Sequence, residues 1–473
     1  MKWKPPIHCL LLILIVSTAA AAENDRGMYG GDPSRNMASD AKGLPENWDP
    51  SAGTNIKWTA TLGTETYGGP VLAGGMLFVG TNNEGLRNPK MEGDRGVVMA
   101  FSASNGEFLW QATHKKLTQG RDLDWPLQGV CSTPLVEGDR LYYVNNRCEL
   151  VCLDTQGFRD GQNDGDSSEE HTGPHDADLV WKIDMMGQLK VLPHNMSLGS
   201  PVSAGNLLFA GTSNGIDGHH LKVPSPGAPS FLAVDKRSGK VVWQDNSPGD
   251  SIMDGQWSNP AYGTVGGSPQ VVFAGGDGWV YAFGPQDGKL IWKFNANRQA
   301  GSIDPGERLN NIIATPVIHQ DRVYIGLGND PEAGDGPGRL WVIDATKRGD
   351  ITEKGVVWSR GGEDYRLTLS TVAIQDGLLY ASDLSGFLYC LDAATGQHHW
   401  TYDAFAAIWG SPFVADGKVY LADEDGDVAV LKAGTKLEEI AEINMGNSIL
   451  TTPTAQDGVL YVATREKLFA IGK

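Results

Sequence analysis

Cys390-Leu-Asp-Ala-Ala-Thr-Gly-Gln-His-His-Trp400 decides how this chain folds, because the same eleven-residue frame recurs without a gap. The ungapped copies run Ala100 to Trp110, Ala233 to Trp243 and Ala282 to Trp292, each with Gly at the seventh place and Trp at the eleventh. Two copies carry insertions, Cys152 to Trp181 and Ile343 to Trp358, and Ala429 to Ile440 replaces the Trp. The sequence stops at Ala470-Ile-Gly-Lys473, where a further copy would begin. Self-similarity of this kind is the signature of a repeat architecture.

Upstream of each window lies a small-residue segment followed by two apolar runs joined by a turn, as in Gly410-Ser-Pro-Phe-Val-Ala-Asp-Gly-Lys-Val-Tyr-Leu-Ala-Asp423. Alternating apolar runs around an Asp-Gly turn signal a β-hairpin. Each unit therefore reads as four strands, A and B around that turn, C into the window, and D carrying the Trp. Pro70, Pro134, Pro201, Pro260, Pro316, Val372, Pro412 and Pro453 mark the start of strand A in eight units. Four-stranded sheets in series cover both apolar faces by packing in a ring, which predicts an all-β, eight-bladed propeller. The eighth unit lacks a D strand, and Gly53-Thr-Asn-Ile-Lys-Trp58 has the missing character. The expectation is that this N-terminal strand completes the last blade.

Composition agrees. Of 473 residues 40% are hydrophobic and 20% charged, which disfavours disorder and coiled coil, and 61 Gly with 25 Pro indicate a turn-rich chain. The net charge of −19 repels phosphate backbones and makes nucleic acid a poor partner. Lys2 and Lys4, the apolar run Leu10 to Val16 and Ala20-Ala-Ala22 read as a signal peptide cleaved after Ala22, too short in its apolar core to span a bilayer. Cys9 precedes that core and is not placed as a lipid anchor. The expected organisation is a leader at 1–22, an N-terminal extension at 23–52 and one propeller at 53–473, in a periplasmic or secreted, monomeric protein without a membrane span.

The Ala-x-Asp-x-x-Thr-Gly-x-x-x-Trp pattern, clearest at Cys390–Trp400 and Ala233–Trp243, resembles the tryptophan-docking repeat of the quinoprotein-type (pyrroloquinoline quinone repeat) propellers. That superfamily holds both quinone-dependent alcohol dehydrogenases and non-enzymatic scaffolds of the BamB class, so the resemblance implies the fold and leaves function open. Trp58, Trp110, Trp181, Trp243, Trp292, Trp358 and Trp400 occupy the docking position and are assigned to blade packing.

Two other tryptophans, Trp257 and Trp409, stand three residues before the strand-A anchor, where Tyr67 and Cys131 stand in their own units. These side chains are expected at the channel mouth. The next column, Gly68, Ser132, Gly199, Ser258, Ala314, Ser370, Gly410 and Thr451, is uniformly small and is read as packing. Polar residues in the loops just before it, Glu65, Gln128, Asn195, Asp254, Asn310, Asn311, Arg366 and Asn447, mark one rim.

The leading expectation is a BamB-like propeller that binds a protein partner or small molecule at this rim. The alternative implied by the resemblance is a dehydrogenase acting on alcohols or sugars. In that case Trp257 or Trp409 stacks on a pyrroloquinoline quinone, with Gln128 and Arg366 beside it. Glu65, Asn195 and Asn311 ligate Ca²⁺, as Asp254 also can, and Asp254 takes the alcohol proton. The adjacent-cysteine disulfide of many such enzymes is missing, and a Cys131–Cys148 bridge is the substitute to look for. Asp160 to His171 approaches a Ca²⁺-loop spacing but lacks the closing Glu and is read as a solvated acidic loop. The adjacent pairs His219-His220 and His398-His399 are not expected to share a metal, since strand neighbours point to opposite faces.

Overall fold

The computed structural model describes residues 1, 26–165, 169–297, 309–329 and 337–473. Residues 2–22 of the leader expected at 1–22 and the central residues of the acidic loop, 166–168, lie outside the described residues. Eight antiparallel sheets of four main strands follow one another around an axis. Blade 1 uses Val71–Ala73, Met76–Asn82, Arg95–Ser102 and Phe108–Lys115 as strands A to D. Blade 8 takes A to C from Thr454–Gln456, Val459–Ala463 and Lys467–Ile471, and its D strand from Ile56–Thr61. The register of that last pair sets Trp58 opposite Ala470. The N-terminal strand thus closes the ring, as the truncated eighth repeat requires.

The repeat frame has a direct structural meaning. Its first and eleventh residues are cross-strand partners: Ala100 faces Trp110, Ala233 faces Trp243 and Cys390 faces Trp400. The Trp Nε1–H then crosses to the next blade. Trp58 donates to Ala103 O (3.0 Å), Trp110 to Thr155 O (2.9 Å) and Trp400 to Gly434 O (2.8 Å). The seventh-place Gly sits on the ring of the preceding blade's Trp. A Cβ at Gly106 would lie 2.6 Å from Trp58, and one at Gly288 2.7 Å from Trp243, and both glycines have positive φ. Trp292 departs from the scheme and donates to Gln270 of its own blade. The insertion in the following window instead lays a short parallel strand, Gly349–Asp350, beside Trp292 and Lys293.

Apolar side chains fill the gaps between neighbouring blades. Trp58, Leu468 and Tyr461 of blade 8 pack with Leu72, Leu77 and Val97 of blade 1, so the closing seam is built like the rest. Regular helix is confined, among the described residues, to Met185–Leu189 and two 3₁₀ turns, and no helix is long and apolar enough to cross a membrane.

The extension after residue 26 has a place the repeat did not reveal. It crosses the axis at one end and bonds to one A strand after another. Leu72 N–H donates to Arg26 O, Val136 N–H to Gly27 O, Tyr262 N–H to Pro33 O and Ile318 N–H to Ser34 O. Met37 N–H donates to Val372 O, and Ala38–Ser39 pairs parallel to Val414–Ala415. Arg35 is buried in the middle and donates to the carbonyls of Tyr29, Ser200, Pro201 and Pro260, each at 2.8 Å. The channel is therefore plugged at this end.

Candidate functional site

Three successive residues of every blade build the wall above the plug. An extended backbone turns alternate side chains to opposite sides, so the positions three and one before the anchor face the axis while the one between faces a neighbouring blade. The middle column is the packing column: Ser258 Oγ donates to Ala314 O (2.7 Å) and Ser370 Oγ to Gly410 O (2.6 Å). A Cβ at Gly68 would meet Ser132 O at 2.7 Å, so only small residues fit.

The column immediately before the anchor forms a hydrogen-bonded ring. Thr133 N–H donates to Ser200 Oγ, Ser200 N–H to Asn259 Oδ1 and Asn259 Nδ2 to Thr315 Oγ1, at 2.9, 2.6 and 2.9 Å. Thr315 N–H then donates to Thr371 Oγ1, Thr371 N–H to Ser411 Oγ and Ser411 N–H to Thr452 Oγ1, at 3.3, 2.9 and 2.9 Å. Blade 1 has Gly69 at this place and adds no side chain to the ring.

The outer column supplies the mouth. Tyr67, Cys131, Leu198, Trp257, Ile313, Leu369, Trp409 and Leu450, one from each blade, line a cavity of about 270 Å³. Tyr29 of the plug reaches it from below, its hydroxyl 3.0 Å from Thr371 Oγ1, and Trp125 and Met196 add to the wall. No Asp, Glu, Lys, Arg or His lines it among the described residues. Trp257 is buried, held by Nε1 on Met196 O (3.2 Å) and folded back over Gly255, where a Cβ would sit 2.2 Å from the indole. Trp409 packs edge-on to Tyr67 (centroids 6.4 Å) and donates to Glu424 Oε2 at 3.0 Å.

Of the eight residues singled out from the sequence, Trp257, Trp409, Gln128 and Asn195 line this cavity, and Glu65, Asp254, Asn311 and Arg366 do not. Glu65 is turned to Arg465 of blade 8, whose Nε donates to Oε2 at 2.9 Å. Asn311 is fully buried. The backbone N–H of Arg366 reaches Asp383, and Asp254 lies against His194. The expected Ca²⁺ set of Glu65, Asn195 and Asn311 is therefore not assembled about the cavity, and a trianionic quinone would meet no cation in its lining. The residues present do not fit that pair of groups.

Cys131 and Cys148 are both free and buried, so the bridge the sequence left open is not formed. Cys148 Sγ points to Thr212 O (3.3 Å) and Cys131 Sγ to Gln128 O (3.7 Å), and burial pushes both thiols up to about 12. Sequence reading missed Leu198, Ile313, Leu369 and Leu450, although the column that gave Trp257 and Trp409 contains them. It also missed Tyr29, which has no repeat signature.

The family described as outer membrane protein assembly factor BamB matches residues 171–343 and 338–471. The chain belongs to this BamB family. Among curated relatives it is 20% identical over 410 residues to the outer membrane protein assembly factor BamB of Moranella endobia, covering 83% of this chain and 88% of the relative. It is also 20% identical over 442 residues to the quinoprotein alcohol dehydrogenase PedH of Pseudomonas putida, covering 86% of this chain and 65% of that protein. The crystal structure of BamB from Moraxella catarrhalis superposes with a TM-score of 0.55 at 14% identity, over 88% of this chain and 96% of that one. At that identity the likeness to the BamB structure concerns the fold alone.

Proposed function

We propose that this BamB-family propeller is an exported, periplasmic, monomeric scaffold that takes an uncharged apolar or aromatic side chain of a protein partner into its channel mouth. The observation that carries the reading is the outer ring: eight uncharged side chains, two of them Trp, converge on a cavity whose far end is sealed by residues 26–39. A blind, apolar pocket receives a side chain or small ligand rather than passing a strand through. Burying an aromatic anchor in such a pocket is how a few residues dominate an interface. The Ala20–Ala22 site and the relatives named for outer membrane assembly support the compartment and the partner class.

The dehydrogenase reading would place anionic quinone and Ca²⁺ beside groups that are engaged elsewhere or buried outside the lining, as Glu65 and Asn311 are. The test is a photo-crosslinking residue at exposed Leu127, on the loop beside Gln128, in the native host. The expected result is a discrete adduct with an outer-membrane assembly component that disappears in Trp409→Ala. Dye reduction by alcohols after addition of quinone and Ca²⁺, with no such adduct, would overturn the scaffold reading.

A further inference from the structure

A second cluster lies behind the cavity wall. Three segments meet there: the loop into strand A of blade 3 with His194, the loop after Asn214 with His220, and the loop into strand A of blade 4 with Asp254. Their approach is fixed by backbone contacts. Gly215 N–H donates to Leu192 O and Ile216 N–H to Asp254 O, both at 3.0 Å. A Cβ at Gly215 would lie 2.6 Å from that of His194 and 2.9 Å from Asp254 O.

His194 is 1% exposed in its side chain, and its ring lies against Trp257 (centroids 6.3 Å, planes 30° apart). Its Nδ1 sits 3.1 Å from Ile216 O. A carbonyl only accepts, so Nδ1 carries a hydrogen and a neutral ring presents its Nε2 lone pair. That Nε2 faces Asp254 Oδ1 at 3.0 Å, yet the two do not meet along a ring N–H direction, and both are buried without a hydrogen-bond partner. Two facing acceptors repel unless a cation lies between them. His220, exposed and held at φ 56°, stacks edge-on over His194 (centroids 4.8 Å) with Nδ1 4.0 Å from the same carboxylate oxygen. The three ligand atoms all lie within 4.8 Å of one another.

We propose that His194 Nε2, His220 Nδ1 and Asp254 Oδ1 bind a divalent transition ion of the zinc class. Two imidazoles and one carboxylate suit Zn²⁺ rather than Ca²⁺ or Mg²⁺, which prefer all-oxygen sets. Zinc bonds of about 2.0 to 2.2 Å require donors about 3.3 Å apart, a distance the exposed His220 ring reaches by a small swing. The Nδ1–H···O=C contact of His194 is the usual outer support of a metal-bound imidazole. Three protein ligands with a solvent-facing side leave one coordination position for water.

The test titrates chelator-stripped full-length protein with Zn²⁺ against a chromophoric competitor, and with Co²⁺ read by its visible d–d bands. One equivalent should bind, with tetrahedral-type Co²⁺ bands. Asp254→Asn should lose those bands, and His220→Ala, a surface change, should weaken binding at least about tenfold with an unchanged circular dichroism spectrum. Absence of stoichiometric metal in the folded wild type, which would make the pair a simple imidazolium–carboxylate contact, overturns the proposal. So does unchanged affinity in both variants.

Discussion

Arg35 donates from Nε to the carbonyl of Pro260 at 2.8 Å, joining the plug to the anchor residue of blade 4. Its other nitrogens serve Tyr29, Ser200 and Pro201, so one side chain satisfies four carbonyls, three of them buried, on three parts of the chain. Burial lowers its pKa to about 10, and it stays charged at neutral pH. Arg35→Met leaves these acceptors bare at about 1 to 3 kcal/mol each before relaxation. The expected loss is at least about 3 kcal/mol, read from the urea midpoint. Arg35→Lys should not restore it, because an ammonium cannot span the same fork.

Trp110 is fully buried, with Gly157 of the next blade on its ring. Trp110→Ala should cost about 3 to 5 kcal/mol in chemical denaturation. A loss under 1 kcal/mol would show that the docking position is dispensable.

Charge in the mouth should separate folding from binding. Leu369→Asp places a carboxylate in the uncharged ring. Partner crosslinking from residue 127 is expected to fall at least about tenfold, the scale of losing one interface anchor, while the near-ultraviolet spectrum is retained.

Asp277 sets a pH dependence. Burial raises its pKa to about 6, even though Tyr281 donates to Oδ2 at 2.5 Å. A carboxyl that holds its proton more tightly when folded contributes stability that is full below pH 3.8 and is lost as pH rises through about 6. The difference amounts to ~2 to 3 kcal/mol. Asp277→Asn should flatten the stability profile across that window in urea titrations, and an unchanged slope would count against the assignment.

The fold was legible because the repeat frame pairs its own ends: a Trp ten places after an Ala is its cross-strand neighbour, a local relation that sequence spacing carries. The channel wall was half legible. Trp257 and Trp409 stood out by size, whereas Leu450 in the same column reads as ordinary core until the ring is closed. The direction of Glu65 was not legible because its partner Arg465 lies four hundred places along the chain, and no local pattern says whether a loop carboxylate turns to the axis or to a neighbour. Asp254 lies in a loop before strand A, as its place in the repeat says, but its company, His194 and His220, is set by the meeting of three loops. The plug was illegible, since residues 26–39 have no period and take their conformation from the A strands they touch.

The segment that bonds to six A strands in turn is also among the first parts of the chain to be made. Its hydrogen-bonding partners are synthesised across almost four hundred further residues, and Ile56–Thr61 waits longer still for Lys467–Ile471. The beginning of the polypeptide therefore has nowhere to settle until the end has emerged. Such distant pairings make assembly slow and all-or-none, and a ribosome-stalled or clipped product lacking its final forty residues would leave Ile56–Thr61 without the strand it pairs with, ready prey for proteases.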